Sequence, residues 1–160
     1  MKNIFTILAL TIGFSMNAQM DDNSIGCSAT TLSVAMGEST QAFGGASTAM
    51  GRYTEASGFA STAMGDYTIA SGDYSTAMGL FTTASGDYST AMGLGTIASG
   101  VVSTAMGDYT TASGGVSTAM GDSTTASDYG SLVIGQYNSS GSTVTSDATS
   151  FNIANTAFVI

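Results

Sequence analysis

The chain has 160 residues, of which Ser, Thr, Ala and Gly make up 91, whereas Pro, Trp and His are absent. The absence of histidine and the presence of a single cysteine exclude histidine-based acid–base catalysis, zinc sites of the usual ligand sets and an internal disulfide. Two basic and eleven acidic residues leave a net charge of −9, which argues against nucleic acid or an anionic membrane surface as a partner. We find no nucleophile paired with a base and no phosphate-binding loop, so we expect no catalysis and no cofactor.

The first residues have the pattern of a secretory signal peptide. Lys2 precedes the apolar run 4–14 (IFTILALTIGF), and small and polar residues close it. The run is too short to span a bilayer as a helix. We predict that residues 1–18 are removed after Ala18, with cleavage after Gln19 as the alternative. The competing interpretation is a core strand or helix of the mature protein.

Residues 19–32 are predicted to be an N-terminal segment without repeats. Cys27 follows Ser-Ile-Gly, which faintly resembles a lipidation site. It lies thirteen residues past the apolar run and lacks the large aliphatic residue expected three positions before it. We therefore interpret Cys27 as a lone thiol, with lipid attachment as the alternative.

A repeat dominates the rest of the chain. The pentapeptide STAMG occurs six times at intervals of fourteen residues from Ser47, and the variants SVAMG at Ser33 and SLVIG at Ser131 keep the register. A related pentapeptide such as TEASG or TIASG lies halfway between successive copies, so the underlying period is seven. The composition alone is typical of a disordered chain, but self-similarity at a constant spacing indicates a repeat fold.

Each repeat predicts two short strands joined by corners. Gly in every heptad, together with Thr and Val, opposes a helix or coiled coil. Two strands per fourteen residues form one coil of a parallel β-solenoid, in which strands pair from coil to coil. We therefore predict an all-β fold with eight 14-residue coils over residues 33–137, about 40 Å long at about 4.8 Å per coil.

Residues 138–160 follow the repeats. We predict a polar insertion over 138–156 and a further, truncated coil that begins near Ala157. We expect the chain to be an N-terminal piece of something longer, or of a relative anchored differently. Membrane attachment is then expected only through parts not present in this chain.

Side-chain alternation along a strand assigns the faces of each coil. If Ala, Ser or Thr, and Gly face inward, Met lies on the outer face of the first strand. Such an interior buries little apolar surface, and an uncovered apolar stripe is unusual on a soluble monomer. We therefore predict that the Met faces of identical copies pack around an axis. The opposite assignment, with Met inside and Ala outside, remains open.

These predictions assign two sets of residues. The solenoid interior comprises Ala35, Ala49, Ala63, Ala77, Ala91, Ala105 and Ala119, and the oligomer interface comprises Met36, Met50, Met64, Met78, Met92, Met106, Met120 and Ile134.

Aromatic residues at the corners are the candidate ligand surface: Tyr53, Tyr67 and Tyr109 at one corner, and Tyr74 and Tyr88 at the other. Such a ladder would bind a protein or a glycan. Alternatively, the rings stack on each other and seal the edge.

Two other surfaces invite a functional interpretation. Aspartates after turn glycines resemble calcium ligands, but Asp is common at turns for its own backbone hydrogen bonding and the nonapeptide calcium pattern is missing. We predict no metal site. The aspartates concerned are Asp66, Asp73, Asp87, Asp108 and Asp122.

The outer face of the second strand resembles an ice-binding array in spacing, although Glu55, Ile69 and Ile97 interrupt it.

The motif Ser-x-Ala-x-Gly-x-x-Ser/Thr-x-Ala-x-Gly over residues 33–137 resembles the head repeats of YadA-like trimeric autotransporter adhesins (Hep/Hag repeats). The resemblance implies a left-handed parallel β-roll that forms a homotrimer, with the Met stripe as trimer core where the family usually has Val or Ile. It also implies an exported head at the bacterial surface or outer membrane that binds host or matrix proteins or glycans. Similar repeats occur in tail-fibre-like proteins, so a structural spacer is the alternative.

Overall fold

A computed structural model of the chain describes residues 28–29, 32–140 and 158–159. The predicted signal peptide and Cys27 lie outside these residues, and so does most of the predicted insertion. Two nine-stranded parallel sheets make up the regular structure of the described residues. No helix in these ranges is long and apolar enough to cross a membrane.

The strands alternate between the two sheets along the chain. Odd-numbered strands form one sheet, which we call the short sheet because each has two residues, and even-numbered strands form the other, the long sheet. In chain order they are β1 (Ser28–Ala29), β2 (Val34–Glu38), β3 (Gln41–Ala42), β4 (Thr48–Arg52), β5 (Glu55–Ala56), β6 (Thr62–Asp66), β7 (Ile69–Ala70), β8 (Thr76–Leu80), β9 (Thr83–Ala84), β10 (Thr90–Leu94), β11 (Ile97–Ala98), β12 (Thr104–Asp108), β13 (Thr111–Ala112), β14 (Thr118–Asp122), β15 (Thr125–Ala126), β16 (Leu132–Gln136), β17 (Ser139–Ser140) and β18 (Phe158–Val159).

Equivalent residues pair between neighbouring coils. Ala91 pairs with Ala105 and Met92 with Met106, fourteen residues apart, and this register holds from β2 to β16. The prediction of an all-β parallel β-solenoid with a 14-residue period is confirmed, with seven such steps between the eight five-residue strands.

The spacing changes at both ends of the solenoid. Ser28 pairs with Gln41, thirteen residues later, and Leu132 pairs with Phe158, twenty-six residues later. The described strands therefore extend beyond the predicted repeat range of 33–137. The step from β16 to β18 is twelve residues longer than the 14-residue period.

Alanine fills the narrow space between the two sheets. The fourteen alanines spaced seven residues apart from Ala35 to Ala126 are at most 1% exposed, and Val133 takes the next position. The interior positions assigned from the sequence belong to this series. Hydroxyl side chains such as Ser61 and Thr68 flank it and are equally buried. The open alternative, with Met inside and Ala outside, is therefore wrong.

The second strand of each coil is shorter than the pentapeptide predicts. In the short sheet only the residue before Ala and Ala itself are β-strand. The Ala70 carbonyl accepts hydrogen bonds from both Ser57 N–H (3.0 Å) and Gly58 N–H (3.3 Å) of the preceding coil. Because one carbonyl serves two successive donors, the regular ladder ends there and the chain turns.

The glycines of the two pentapeptides occupy different environments. Gly58 and its equivalents are buried, as alternation predicts, whereas Gly79 and its equivalents in STAMG are exposed. Gly79 has a φ of +124°, and a Cβ there would overlap the Gly93 carbonyl of the next coil. The prediction that this glycine faces inward is therefore wrong, because the unusual φ redirects the chain at the end of the long strand.

Candidate functional site

Eight side chains at the centre of the long strands form a straight row on the outer face of the long sheet. We call it the methionine row. Its members pair from coil to coil, as in Met64 with Met78 and Met120 with Ile134. The methionines are half-buried and Ile134 is 36% exposed. The row brings together Met36, Met50, Met64, Met78, Met92, Met106, Met120 and Ile134.

A second row runs beside the methionine row on the same face. It is Thr in six coils, with Val34 and Leu132 at the ends, and all eight side chains are half-buried. The last position of each long strand is more varied, because it is polar or charged at both ends of the rod and leucine at Leu80 and Leu94. The central coils therefore carry the most apolar part of this sheet.

The Arg52 guanidinium forms a two-pronged ion pair with Asp66 of the next coil. Nε lies 3.1 Å from Oδ1, and Nη2 lies 2.5 Å from Oδ2. The guanidinium also lies 5.8 Å and 6.0 Å from the ring centroids of Tyr53 and Tyr67. The hydrogen bond and charge of Asp66 raise the pKa of Arg52 above its usual value. Arg52, the single Lys or Arg among the described residues, is thus already engaged within the solenoid.

Aromatic rings stack at the corner that follows each long strand, which we call the long-strand corner. Ring centroids lie 4.8 Å apart for Tyr53 and Tyr67 and 5.1 Å apart for Tyr67 and Phe81. All three residues have a φ between 52° and 55°, a conformation that costs an L-residue about 1–2 kcal/mol. Ring stacking and a backbone hydrogen bond, 2.9 Å for Tyr67 N–H to Arg52 O, offset this cost.

The corner after each short strand, the short-strand corner, carries a second stack. The rings of Tyr74 and Tyr88 stack nearly parallel, with centroids 5.0 Å apart and an interplanar angle of 5°. Phe59 meets the Tyr74 ring edge-on at 5.5 Å. The two tyrosines remain 49% and 59% exposed, so the stack still presents ring edges to solvent.

Tyr109 stands apart from both stacks. Its equivalent one coil earlier is Gly95, and a Cβ there would lie 2.8 Å from the Tyr109 ring. The ring therefore leans against the Gly95 backbone and is 63% exposed. The structure thus joins four of the five candidate tyrosines into two pairs and leaves the fifth alone.

Two of the aspartates bind the backbone of the preceding coil. The Asp73 carboxylate accepts a hydrogen bond from Phe59 N–H at 2.8 Å, and the Asp87 carboxylate accepts one from Asp73 N–H at 3.0 Å. These carboxylates cap N–H groups that the turn leaves outside the sheets. Within the described part of the chain, no three His, Cys, Asp or Glu residues are placed to share a metal ion.

Buried hydroxyls line the two edges of the alanine interior. The Ser47 and Ser61 hydroxyls donate to the Gly44 and Gly58 carbonyls at 2.7 Å and 2.8 Å. Several others, including Thr68, Thr82 and Thr96, have no hydrogen-bond partner. Successive members lie one coil apart in an enclosed row, so they offer no nucleophile to a substrate.

A groove of about 460 Å³ opens at the short-strand corner near the C-terminal end of the described coils. Its walls are the side chains of Val101, Val116 and Tyr129, and its floor includes Gly115. Tyr129 was not among the predicted ligand-binding residues. The signal in the sequence is the Gly114–Gly115 pair, which removes a side chain between Val101 and Tyr129 at fourteen-residue spacing.

Stacked 14-residue coils with an alanine interior and two kinds of glycine corner define a repetitive parallel β-solenoid. The family model described as "YadA head domain repeat (2 copies)" matches residues 31–54, 56–82, 70–96, 84–110 and 112–138, about two thirds of the chain. The chain therefore belongs to the YadA head repeat family, and the resemblance noted in its sequence is confirmed. No curated protein sequence matches the chain.

Proposed function

We propose that this chain is the head region of an exported trimeric adhesin that attaches a bacterium to host or matrix surfaces by non-catalytic binding. The family supports an adhesin-type head. The observation that carries the trimer is the methionine row, an unbroken apolar line on the outer face of an all-parallel sheet.

Physical chemistry favours covering this face. A contiguous apolar stripe on a soluble protein commonly marks an interface. An interior alanine methyl contributes only about 0.8 kcal/mol, less than the roughly 1–2 kcal/mol of backbone entropy lost per ordered residue. Packing three methionine rows around one axis adds the missing apolar burial, and closed symmetry satisfies every copy equally.

Sedimentation equilibrium of the full chain tests the trimer. We expect a trimer for the native sequence and dissociation for Met64→Asp/Met92→Asp, because six carboxylates would then face one axis. Ile69→Asp/Ile97→Asp is the matched control, since these residues are 39% and 42% exposed on the opposite sheet. A stable folded monomer of the native chain would overturn the trimer, and so would a methionine double variant that still assembles.

The remaining surface supplies the adhesive face. With the long sheet covered, the short sheet and the corners stay open, including the Tyr74–Tyr88 stack. We propose that these surfaces contact a matrix protein or glycan. Binding of the purified protein to surfaces coated with matrix proteins or glycans is the test, and Tyr74→Ala/Tyr88→Ala should weaken it by about tenfold. Equal binding by the variant would remove the stack from the proposed ligand surface.

Export is part of the proposal and rests on the N-terminal sequence. N-terminal sequencing of the protein recovered from the cell surface should begin after Ala18 or Gln19. An intact Met1 on surface-exposed protein would contradict the signal-peptide prediction.

A structural spacer is the second candidate function. The mutual stacking of Tyr53, Tyr67 and Phe81 favours it, because these rings already have partners within the rod. A spacer predicts no binding to any surface in the panel while the trimer persists. The outer row of the short sheet is irregular, with Glu55, Ile69 and Thr83 in successive coils, and does not support an ice-binding array.

A further inference from the structure

The groove at Gly115 is a gap in a column of side chains. One position of the short-strand corner is occupied in successive coils by Phe59, Asp73, Asp87, Val101, Gly115 and Tyr129. Gly115 is the one member of this run without a side chain. Gly45 holds the same position one coil before Phe59, but there the Phe59 ring lies 3.3 Å from where a Cβ would stand. The missing side chain leaves the groove of about 460 Å³ between its two neighbours, within the range of about 300–1,000 Å³ usual for small-ligand sites.

The column also shows which chemistry the gap accepts. At Phe59 and Asp73, the backbone N–H donates to a carboxylate carried by the residue one coil later, at 2.8 Å and 3.0 Å. The same repeat directs the Val101 N–H at the place where a side chain of residue 115 would lie. Since residue 115 is glycine, the chain supplies no acceptor there, and a ligand oxygen can take that place.

The lining residues favour a ring with one apolar face and one hydroxylated edge. Tyr129, Val101 and Val116 provide apolar walls, while Ser99 and Ser113 bring hydroxyls to the same groove. An aliphatic side chain of a partner would displace water from these hydroxyls and from the Val101 N–H. It offers no hydrogen-bonding group in place of that water, which is unfavourable. A sugar ring supplies both an apolar face and several donors and acceptors.

Charge selects among sugars. The single Lys or Arg in the described residues, Arg52, is paired with Asp66 in distant coils, and the chain carries a net charge of −9. Asp87 belongs to this column, one coil before Val101, and Asp128 directly precedes Tyr129. An acidic sugar would meet repulsion without a counter-cation, whereas a neutral ring would not.

We propose that the Gly115 groove binds one neutral pyranose ring of a glycan, with Tyr129 and the valines against its apolar face and Ser99, Ser113 and Val101 N–H at its hydroxyls. This proposal deepens the adhesive function proposed above and rests on it. Ser99 and Ser113 directly follow short strands, so the groove lies away from the methionine row and stays open when that row is covered.

Saturation-transfer NMR on the full chain tests the proposal. The probes are the methyl glycosides of glucose, galactose, mannose and N-acetylglucosamine, with N-acetylneuraminic acid and glucuronic acid as charged comparators. We expect saturation transfer to at least one neutral glycoside and to neither acid. Transfer to the acids alone, or to no sugar, would overturn the proposal.

Gly115→Asp is the decisive variant, because it restores in this coil the carboxylate that Asp73 and Asp87 provide in theirs. Gly115 does not have a positive φ, so a substitution there carries no left-handed backbone strain. We expect binding to fall by about tenfold or more, and Tyr129→Ala to weaken it similarly. Gly45→Asp, at the same corner position five coils away, is the matched control and should bind normally.

These outcomes separate the groove from the wider function. If Gly115→Asp still binds the neutral glycoside, the groove is not the site, whatever the adhesion result. If adhesion to matrix-coated surfaces persists in Gly115→Asp while glycoside binding is absent from the native chain, the adhesive function stands and the groove proposal fails. If the native chain binds the glycoside through the groove but adheres to no surface, the groove proposal stands and the adhesive function fails.

Discussion

The long sheet and the corners are built on the same 14-residue period but tolerate change very differently. In the long strands Ala, Met and Gly recur from coil to coil, with Val133 and Ile134 as the exceptions in the last of them. At the short-strand corner one position holds Phe59, Asp73, Val101, Gly115 or Tyr129 in different coils. A sheet residue is enclosed by its equivalents above and below, whereas a corner side chain extends into solvent. We infer that the sheet maintains the rod, whereas the corners account for the differences in surface between one coil and the next.

The largest effect is expected at the end of a long strand. Gly79→Ala should lower the free energy of unfolding by about 3 kcal/mol or more, because the new Cβ overlaps the Gly93 carbonyl in addition to adopting a positive φ. Gly130→Ala at a corner is the control: its φ is +65°, but a Cβ there meets nothing within 4 Å. We expect it to cost only about 1 kcal/mol. Urea unfolding measures both, and equal losses would remove the distinction between sheet and corner glycines.

A smaller effect is expected from overfilling the interior. Ala98→Leu should cost about 2 kcal/mol, since Ala98 is fully buried between two sheets that alanine holds close together. Ile97→Leu on the same strand should change stability by less than about 0.5 kcal/mol, because Ile97 is 42% exposed. Thermal unfolding of the two variants compares adjacent residues on opposite faces of one strand. A neutral Ala98→Leu would mean that the interior is not closely packed.

The smallest effect is expected at the corners, and its sign is opposite. Val102→Gly should stabilise the chain by about 0.5–1 kcal/mol, because Val102 has a φ of 58° and β-branched residues rarely adopt it. Tyr88→Gly relieves similar strain at a φ of 57° but removes the stack with Tyr74. It should therefore gain nothing or lose about 0.5 kcal/mol. Stabilisation of both variants alike would show that the ring stack contributes little.

The features that follow from side-chain period are accessible from the sequence. The spacing of Ala63 and Ala77 is enough to predict a parallel solenoid, and the alternation of Ala with Met predicts which residues share a face. Features that depend on backbone hydrogen bonding are not accessible. The two-residue strands arise because the Ala70 carbonyl accepts two N–H groups, and the positive φ of Gly79 places it at the surface. The first property has no residue-type signature. The recurring glycine is compatible with a positive φ, but it does not show which face the residue occupies.

The candidate site shows the same limit. The period places Tyr74 and Tyr88 at one corner, but only the structure shows that their rings stack and that Tyr109 leans on Gly95. The predicted ligand surface was based on aromatic side chains. It did not include the groove, because the feature that marks the groove is a side chain that is absent. Gly115 becomes informative only when its column of equivalents is compared coil by coil.

Because each coil contacts the next in register, the number of coils can change without a change in how they pack. Gly79 faces Gly93 as Gly93 faces Gly107, so a coil added or removed as a whole 14-residue unit meets neighbours like those it replaces. Each such unit changes the reach of the rod by about 4.8 Å without any new packing arrangement. A gene with this repeat can thus lengthen or shorten its product by duplication or deletion of a 42-nucleotide unit.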